Sequence, residues 1–336
     1  MNALLHGRFP ALRDTIPHLR LGQPPSPVRR VRALATGPGS EVWLKDDGAY
    51  GAPHGGNKVR KLEWILPDVE ARGRRTIVTV GGLATNHGLA TAVWGRDRGL
   101  RTALALVDQP LDDHVRGQLE RIRRSGARVY RTRGRYRTYL AAPWILLRHA
   151  ELRGRRLPYF LTVGGSSPLG CLGYVEAALE LAEQVAGGEL PEPSHIVVAL
   201  GSGGTAAGLA AGLRIAGLRS RVVGVVVNDR TPVDARTVAR LATRALDLQR
   251  RRGADVPVRS ILPADIESER EWLGPGYGHR TPAAEHARDL ARRREGLELD
   301  PVYTGKAMAA LMALRKRGSF GGGPVLYWHT YGAPGA

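Results

Sequence analysis

Cysteine is nearly absent: Cys171 is the single example in 336 residues. A lone thiol excludes an internal disulfide and fits a reducing compartment, so the cytoplasm is the expected location. Within GCLGYVEAALEL it reads as a small core residue rather than a nucleophile. Long apolar runs are missing too. No stretch reaches the roughly 18 residues that a bilayer span needs, and MNALLHGRFPALRDTIPHLRLG lacks the continuous apolar centre of a secretory leader. Lysine is scarce although positive charge is not. Lys and Arg total 50 against 31 Asp and Glu, a formal charge of +19, yet the only lysines are Lys45, Lys58, Lys61, Lys306 and Lys316. Such a charge can mark a nucleic-acid binder. Here the arginines are scattered through RGRR, RIRRSGAR and ARRREG without interleaved aromatics, so neither a nucleic-acid partner nor a membrane is expected, and no metal site is read.

The scarcity makes each lysine informative. Arginine stays protonated, whereas a lysine amine can lose its proton and act as a nucleophile. Two of the five lie in one glycine-rich segment, HGGNKVRKLEW (54–64). Lys58 and Lys61 are three residues apart and share a helical face near its positive end, where each lowers the other's pKa.

Apolar β-rich runs alternate with amphipathic ones, which predicts an α/β fold with parallel sheets flanked by helices. Strands are expected at 41–45, 76–82, 101–107, 127–131, 195–200, 221–227 and 324–330, and helices at 57–73, 84–99, 112–126, 170–186, 204–217 and 305–318. Ligands gather at the carboxyl ends of strands in such folds, so the glycine-rich junctions at 81–88 and 200–208 are the places for a site.

Three further segments carry chemistry. In VGGLATNHGLATA (80–92), Thr85, Asn86 and His87 open a helix whose free N–H groups suit a carboxylate or phosphate oxygen; an ordinary N-cap reads the same way. In HIVVALGSGGTAAG (195–208), Gly201, Ser202, Gly203, Gly204 and Thr205 can wrap a phosphate at the helix start. Gly201, Gly203 and Ala206 also satisfy a loose dinucleotide fingerprint, with Asp229 as a ribose ligand, which would make the chain an NAD(P)-dependent oxidoreductase. In GPGYGH, LDPVYTGKA and LYWHTYG, Tyr277 and Tyr303 sit on glycine-flanked turns, and Thr330 ends the last strand.

Taken in order, GGNKVRKLE, GG-three-residues-NH, GSGGTAAG, GPGYG, LDPVYTGKA and the final HT resemble the D-cysteine desulfhydrase and 1-aminocyclopropane-1-carboxylate deaminase family, whose fold is that of tryptophan synthase β. The match runs from WLKDD at 43 to HTYG at 329. The resemblance implies pyridoxal 5′-phosphate held as a Schiff base on Lys58. It gives the phosphate to Lys61 and Gly201–Thr205, the cofactor 3′-oxygen to Asn86 and the pyridine nitrogen to Thr330, with Asn57 also binding the cofactor. The substrate carboxylate would meet Thr85, Asn86 and His87, with Tyr277 and Tyr303 facing a small amino acid. It further implies a small domain at 61–169, a large domain from 1–60 and 170–336, and a homodimer.

Within that family His87 and Thr304 resemble the desulfhydrase branch, since deaminases carry glutamine and glutamate there. Thr85 stands for the usual serine, Ala84 for glutamine, Gly88-Leu89 for a bulkier pair, and Tyr331 for a glycine beside the cofactor. These departures surround the substrate, as in a member recruited to a specialised biosynthetic pathway. The expected reaction is an α,β-elimination giving a 2-oxo acid and ammonia. Cyclopropane ring opening and β-replacement are its nearest rivals.

Overall fold

The computed structural model describes residues 3–32, 34, 39–151 and 156–332. Ten strands occur among them: β1 Val28–Arg30, β2 Val42–Asp46, β3 Thr76–Gly82, β4 Arg101–Val107, β5 Arg128–Arg133, β6 Tyr159–Leu161, β7 His195–Leu200, β8 Arg221–Val226, β9 Ile266–Glu269 and β10 Val325–His329. They form a six-stranded sheet in the order β1-β2-β10-β7-β8-β9 and a four-stranded sheet in the order β5-β4-β3-β6. Every pairing is parallel except that of β1 with β2.

The helices are α1 Leu4–Arg8, α2 Asn57–Ala71, α3 Asn86–Arg96, α4 Asp113–Arg124, α5 Arg135–Arg148, α6 Pro168–Ala186, α7 Gly204–Ala216, α8 Ala235–Arg251, α9 Pro282–Glu295 and α10 Thr304–Lys316. All seven expected strands and all six expected helices are present, with no end moved by more than three residues. The strands that the pattern did not announce, β1, β6 and β9, are three or four residues long and all lie at sheet edges. An edge strand buries too little to need an apolar run.

The central strands are rich in valine, isoleucine and leucine because both faces of a parallel sheet are covered. One core is built from α6, α7 and α8 on one face of β7 and β8, with Ile196, Val198 and Val222 fully buried. A second, with Val197, Val223, Met308 and Tyr327, fills the other face. Cys171 lies in the first core, where burial pushes its thiol pKa up to about 12, so it is an inert core residue.

Helix α2 is held on both sides. Val59, Leu62, Ile65, Leu66 and Val69 pack with Ile77, Ala90 and Trp94 beside the four-stranded sheet, while Trp64 joins the α6–α7 core. Arg60 belongs to a buried cluster. Its guanidinium meets Asp47 at 3.0 and 2.8 Å and Glu180 at 3.1 and 2.9 Å. Lys45 Nζ lies 2.6 Å from Glu180, and Tyr174 and Trp328 donate to the other Asp47 oxygen at 2.6 and 2.8 Å. Two cations and two anions thus balance at the root of the helix that carries Lys58.

Candidate active site

The carboxyl ends of β3, β4, β7 and β10 open on one cavity of about 500 Å³. Every site residue that the family resemblance implies lines it: Asn57, Lys58, Lys61, Thr85, Asn86, His87, Gly201 to Thr205, Tyr277, Tyr303 and Thr330.

Lys58 occupies the first turn of α2. The two glycines before it are required by close approach: a Cβ on Gly55 would sit 2.3 Å from the Gly48 oxygen, and one on Gly56, at φ +95°, would sit 2.9 Å from Thr330 O and Gly332 N. Asn57 N donates to Thr330 O at 3.1 Å, which locks the start of α2 against the end of β10. Among the described residues the Lys58 amine has no hydrogen-bond partner. Burial, reinforced by the nearby Lys61 charge, holds its pKa well below the ordinary lysine value. The shift favours the free amine over the ammonium.

Beside the amine lies an anion cradle. Gly203, at φ +89°, turns the chain into α7 and offers no side-chain cap, so the helix-start amides beyond Gly204 are left for a ligand. Gly204 N donates to Ser166 Oγ at 2.9 Å, Ser166 and Ser202 share a hydrogen bond of 2.8 Å, and Asn57 Nδ2 donates to Thr205 Oγ1 at 3.1 Å. Lys61 Nζ donates to Gly164 O at 3.1 Å, with its pKa lowered to about 8 chiefly by burial. A Cβ on Gly204 would lie 2.6 Å from Ser166 Oγ and 2.9 Å from Lys61 Nζ, closing the cradle.

Thr85 caps α3, its Oγ1 accepting from Gly88 N at 3.1 Å, so its own proton remains available to a ligand. Asn86 is oriented by a relay. Arg121 can only donate, so the Gln118 oxygen faces it at 2.6 Å; the Gln118 amide nitrogen then donates to Asn86 Oδ1 at 2.7 Å, leaving Asn86 Nδ2 as the free donor. His87 Nε2 lies 3.2 Å from Thr79 Oγ1, whose proton goes to Leu161 O at 2.8 Å. The histidine must therefore donate from Nε2. Burial, then the charges of Lys58 and Lys61, hold its pKa well below normal and keep it neutral.

Tyr277 and Tyr303 meet through their hydroxyls at 2.8 Å. Burial raises both pKa values; that of Tyr303 stands well above the usual phenol, while the Tyr303 hydrogen bond and the Arg230 charge offset part of the rise at Tyr277. Asp229 is not a ribose ligand. It does not line the cavity, and its carboxylate accepts from Tyr277 N at 3.1 Å.

Sequence reasoning passed over Asp300, Asn228, Ser166 and Gln118. Asp300 lines the cavity and accepts from Val302 N, Tyr303 N and Thr304 N at 2.9, 2.7 and 3.0 Å. The Thr304 hydroxyl, where the resemblance gives deaminases a glutamate, donates to Asp300 at 2.7 Å and is buried off the cavity. An acidic residue four before a threonine at a helix start was the available signal for this cap.

An enclosed amine facing a phosphate-sized cradle at the ends of parallel strands fits pyridoxal phosphate: Lys58 for its aldehyde, the Gly201–Thr205 loop for its phosphate. The family of pyridoxal-phosphate dependent enzymes matches residues 19–330, which sets the class of the protein. D-cysteine desulfhydrases of Salmonella paratyphi A and Salmonella choleraesuis are each 36% identical over 323 residues, 95% of this chain and 94% of theirs. The crystal structure of an ACC deaminase homologue superposes with a TM-score of 0.82 at 32% identity, covering 98% of this chain and 96% of that one. The chain belongs to the D-cysteine desulfhydrase and 1-aminocyclopropane-1-carboxylate deaminase family of pyridoxal-phosphate-dependent lyases. O-ureido-L-serine synthase, with a TM-score of 0.62 at 20% identity over 93% of this chain and 89% of its own, shares the fold. No helix among the described residues is long and apolar enough to cross a membrane.

Proposed function

We propose that the protein eliminates the β-substituent of a small amino acid, as a D-cysteine desulfhydrase does, releasing a 2-oxo acid and ammonia. The observation that carries this reading is the Lys58 amine: depressed in pKa and without a hydrogen-bond partner among the described residues, it stands between the phosphate cradle and the α3 N-terminus. When bound, pyridoxal phosphate supplies an electron sink for the charge that forms at Cα.

The residues of the chain do the rest. Lys58 would hold the cofactor aldehyde, and its free Nζ would take the Cα proton of the substrate. Lys61 and the Gly201–Thr205 loop would hold the phosphate, with Asn57, Asn86 and Thr330 as the further residues that would hold the cofactor. The Thr85 hydroxyl and the first amides of α3 grip the substrate carboxylate, while neutral His87 walls that side. Tyr277 and Tyr303 stand where the β-substituent leaves, and their shared proton serves it. D-cysteine, giving pyruvate, sulfide and ammonia, is the first substrate to test.

Ring opening of a cyclopropane amino acid is less well supported, because among the described residues no free carboxylate accompanies Thr330: Thr304 is threonine, and both oxygens of Asp300 are occupied. We also assign a small domain to 61–169, the interval that supplies the four-stranded sheet, and a homodimeric cytoplasmic state.

An absorption spectrum before and after borohydride, with mass mapping of the adduct, tests the central assignment. A bleached band and a pyridoxyl group on Lys58, absent from Lys58→Ala along with sulfide release, is the expected result. Turnover retained by Lys58→Ala sinks it.

A further inference from the structure

The cavity carries positive charge that neither the cofactor phosphate nor the substrate carboxylate uses. Arg135, in the first turn of α5, and Arg230, in the loop after β8, line the same cavity as Lys58 and the two tyrosines. Arg230 is held in a built loop: Asn228 Oδ1 accepts its N–H at 3.0 Å, while Asn228 Nδ2 donates to Gly201 O at 3.2 Å and Thr231 Oγ1 at 3.1 Å. Its guanidinium carbon lies 5.3 Å from the centre of the Tyr277 ring. Arg135 reaches over from beside the four-stranded sheet and donates from Nη1 to Arg230 O at 3.3 Å.

Among the described residues neither guanidinium is paired with a carboxylate. Asp108, the acid whose charge Arg230 feels, is engaged through both oxygens by Arg131 at 2.6 and 3.1 Å. Asp300 spends its oxygens on the start of α10. Arg135 thus reaches the main chain at Arg230, whose own guanidinium stands over Tyr277, and both line the cavity. A guanidinium is a fork matched to planar or tetrahedral oxyanions, and a pair of them forms a clamp.

Resting on the elimination reading above, we propose that the substrate is an amino acid whose β-substituent is itself an oxyanion, such as a phosphate ester, and that Arg135 and Arg230 bind this group. For O-phosphoserine the Cα proton passes to Lys58, and the C–H electron pair becomes the Cα–Cβ double bond. The Cβ–O bond breaks with its electrons leaving on inorganic phosphate. Water then converts the released enamine to pyruvate and ammonia, with no net oxidation.

The test uses the holoenzyme, both enantiomers of O-phosphoserine, D-cysteine and β-chloro-D-alanine as substrates. Calorimetric binding of 2-amino-3-phosphonopropanoate, whose C–P bond cannot leave, gives a readout independent of turnover. The expected result is a kcat/KM for one enantiomer of O-phosphoserine at least tenfold above either uncharged substrate. Arg135→Gln and Arg230→Gln should each lower that ratio tenfold or more and weaken phosphonate binding to match. Preference for the uncharged substrates, with phosphonate binding indifferent to both substitutions, overturns the proposal. Failure of every substrate to react, with a reducible adduct still on Lys58, would instead sink the elimination reading, and the calorimetry would still decide whether the arginines hold an oxyanion.

Discussion

The hydroxyl of Tyr303 lies 2.8 Å from that of Tyr277, with the rings edge to face at 77°. The two side chains come from separate turns, and the nearer turn is pinned by Asp229, so a single proton is shared across the leaving-group side of the cavity. Groups that act as a unit lose their effect together. Tyr303→Phe and Tyr277→Phe should each lower kcat for elimination by about 10- to 100-fold, in line with general acid catalysis. The double variant should be scarcely worse than either single one; additive losses in steady-state kinetics would mean the phenols act separately.

Asn86 presents its amide nitrogen only because Gln118 faces it with a donor. Gln118→Glu keeps an acceptor for Arg121 but offers Asn86 none of the N–H it now receives, favouring the flipped amide. A misplaced buried hydrogen bond costs about 1–3 kcal/mol, so cofactor affinity should fall roughly 10- to 100-fold. Titration of the cofactor-stripped protein with pyridoxal phosphate measures it.

Gly204→Ala places a methyl group between Ser166 and Lys61. The loss should fall on the phosphate rather than on the ring. Pyridoxal phosphate should bind at least about tenfold more weakly, as expected for overpacking worth 1–3 kcal/mol. Pyridoxal without its phosphate should change little. Equal losses for both would assign the cradle to something else.

Lys61 titrates near 8 in the folded chain against about 10.5 when unfolded. Between those values the unfolded chain binds the extra proton, so this group adds stability as pH rises, and its cost is greatest below pH 8. Lys61→Met in the cofactor-stripped protein should therefore gain on wild type by an amount largest near pH 7. That gain should shrink by up to about 3 kcal/mol towards pH 10.5. Paired denaturant titrations across that range check both sign and window.

The parallel framework was legible because strands such as TIVTVGG and HIVVAL are buried on both faces and the helices between them carry ordinary periodicity. Helices α8 and α9 escaped because arginines cover them; the stripe they bury is mostly alanine, as at Ala239, Ala242 and Ala245. Helix α5 was hidden by Pro143 and by a face bearing Tyr136, Tyr139, Leu140 and Leu147, all left exposed. Within the site, residues carried by glycine-rich signatures were found, since close backbone approach leaves a mark in sequence. Gln118, Asn228, Ser166 and Arg230 leave none: each matters only for what lies beside it in space, from 27 to 38 residues away for Asn228 on Gly201, Gln118 on Asn86 and Ser166 on Gly204.

The charge-balanced cluster behind α2 has a mechanical meaning. Arg60 is tied to Asp47 and Glu180 on the side of the helix away from the cavity, and undoing such ties with one partner removed costs about 3–5 kcal/mol. A ligand carboxylate gripped by Thr85 cannot supply that much, so Lys58 behaves as a fixed post. Through Ala90 and Trp94, α3 is packed on the same post, so the lysine and the helix start that faces it share one frame.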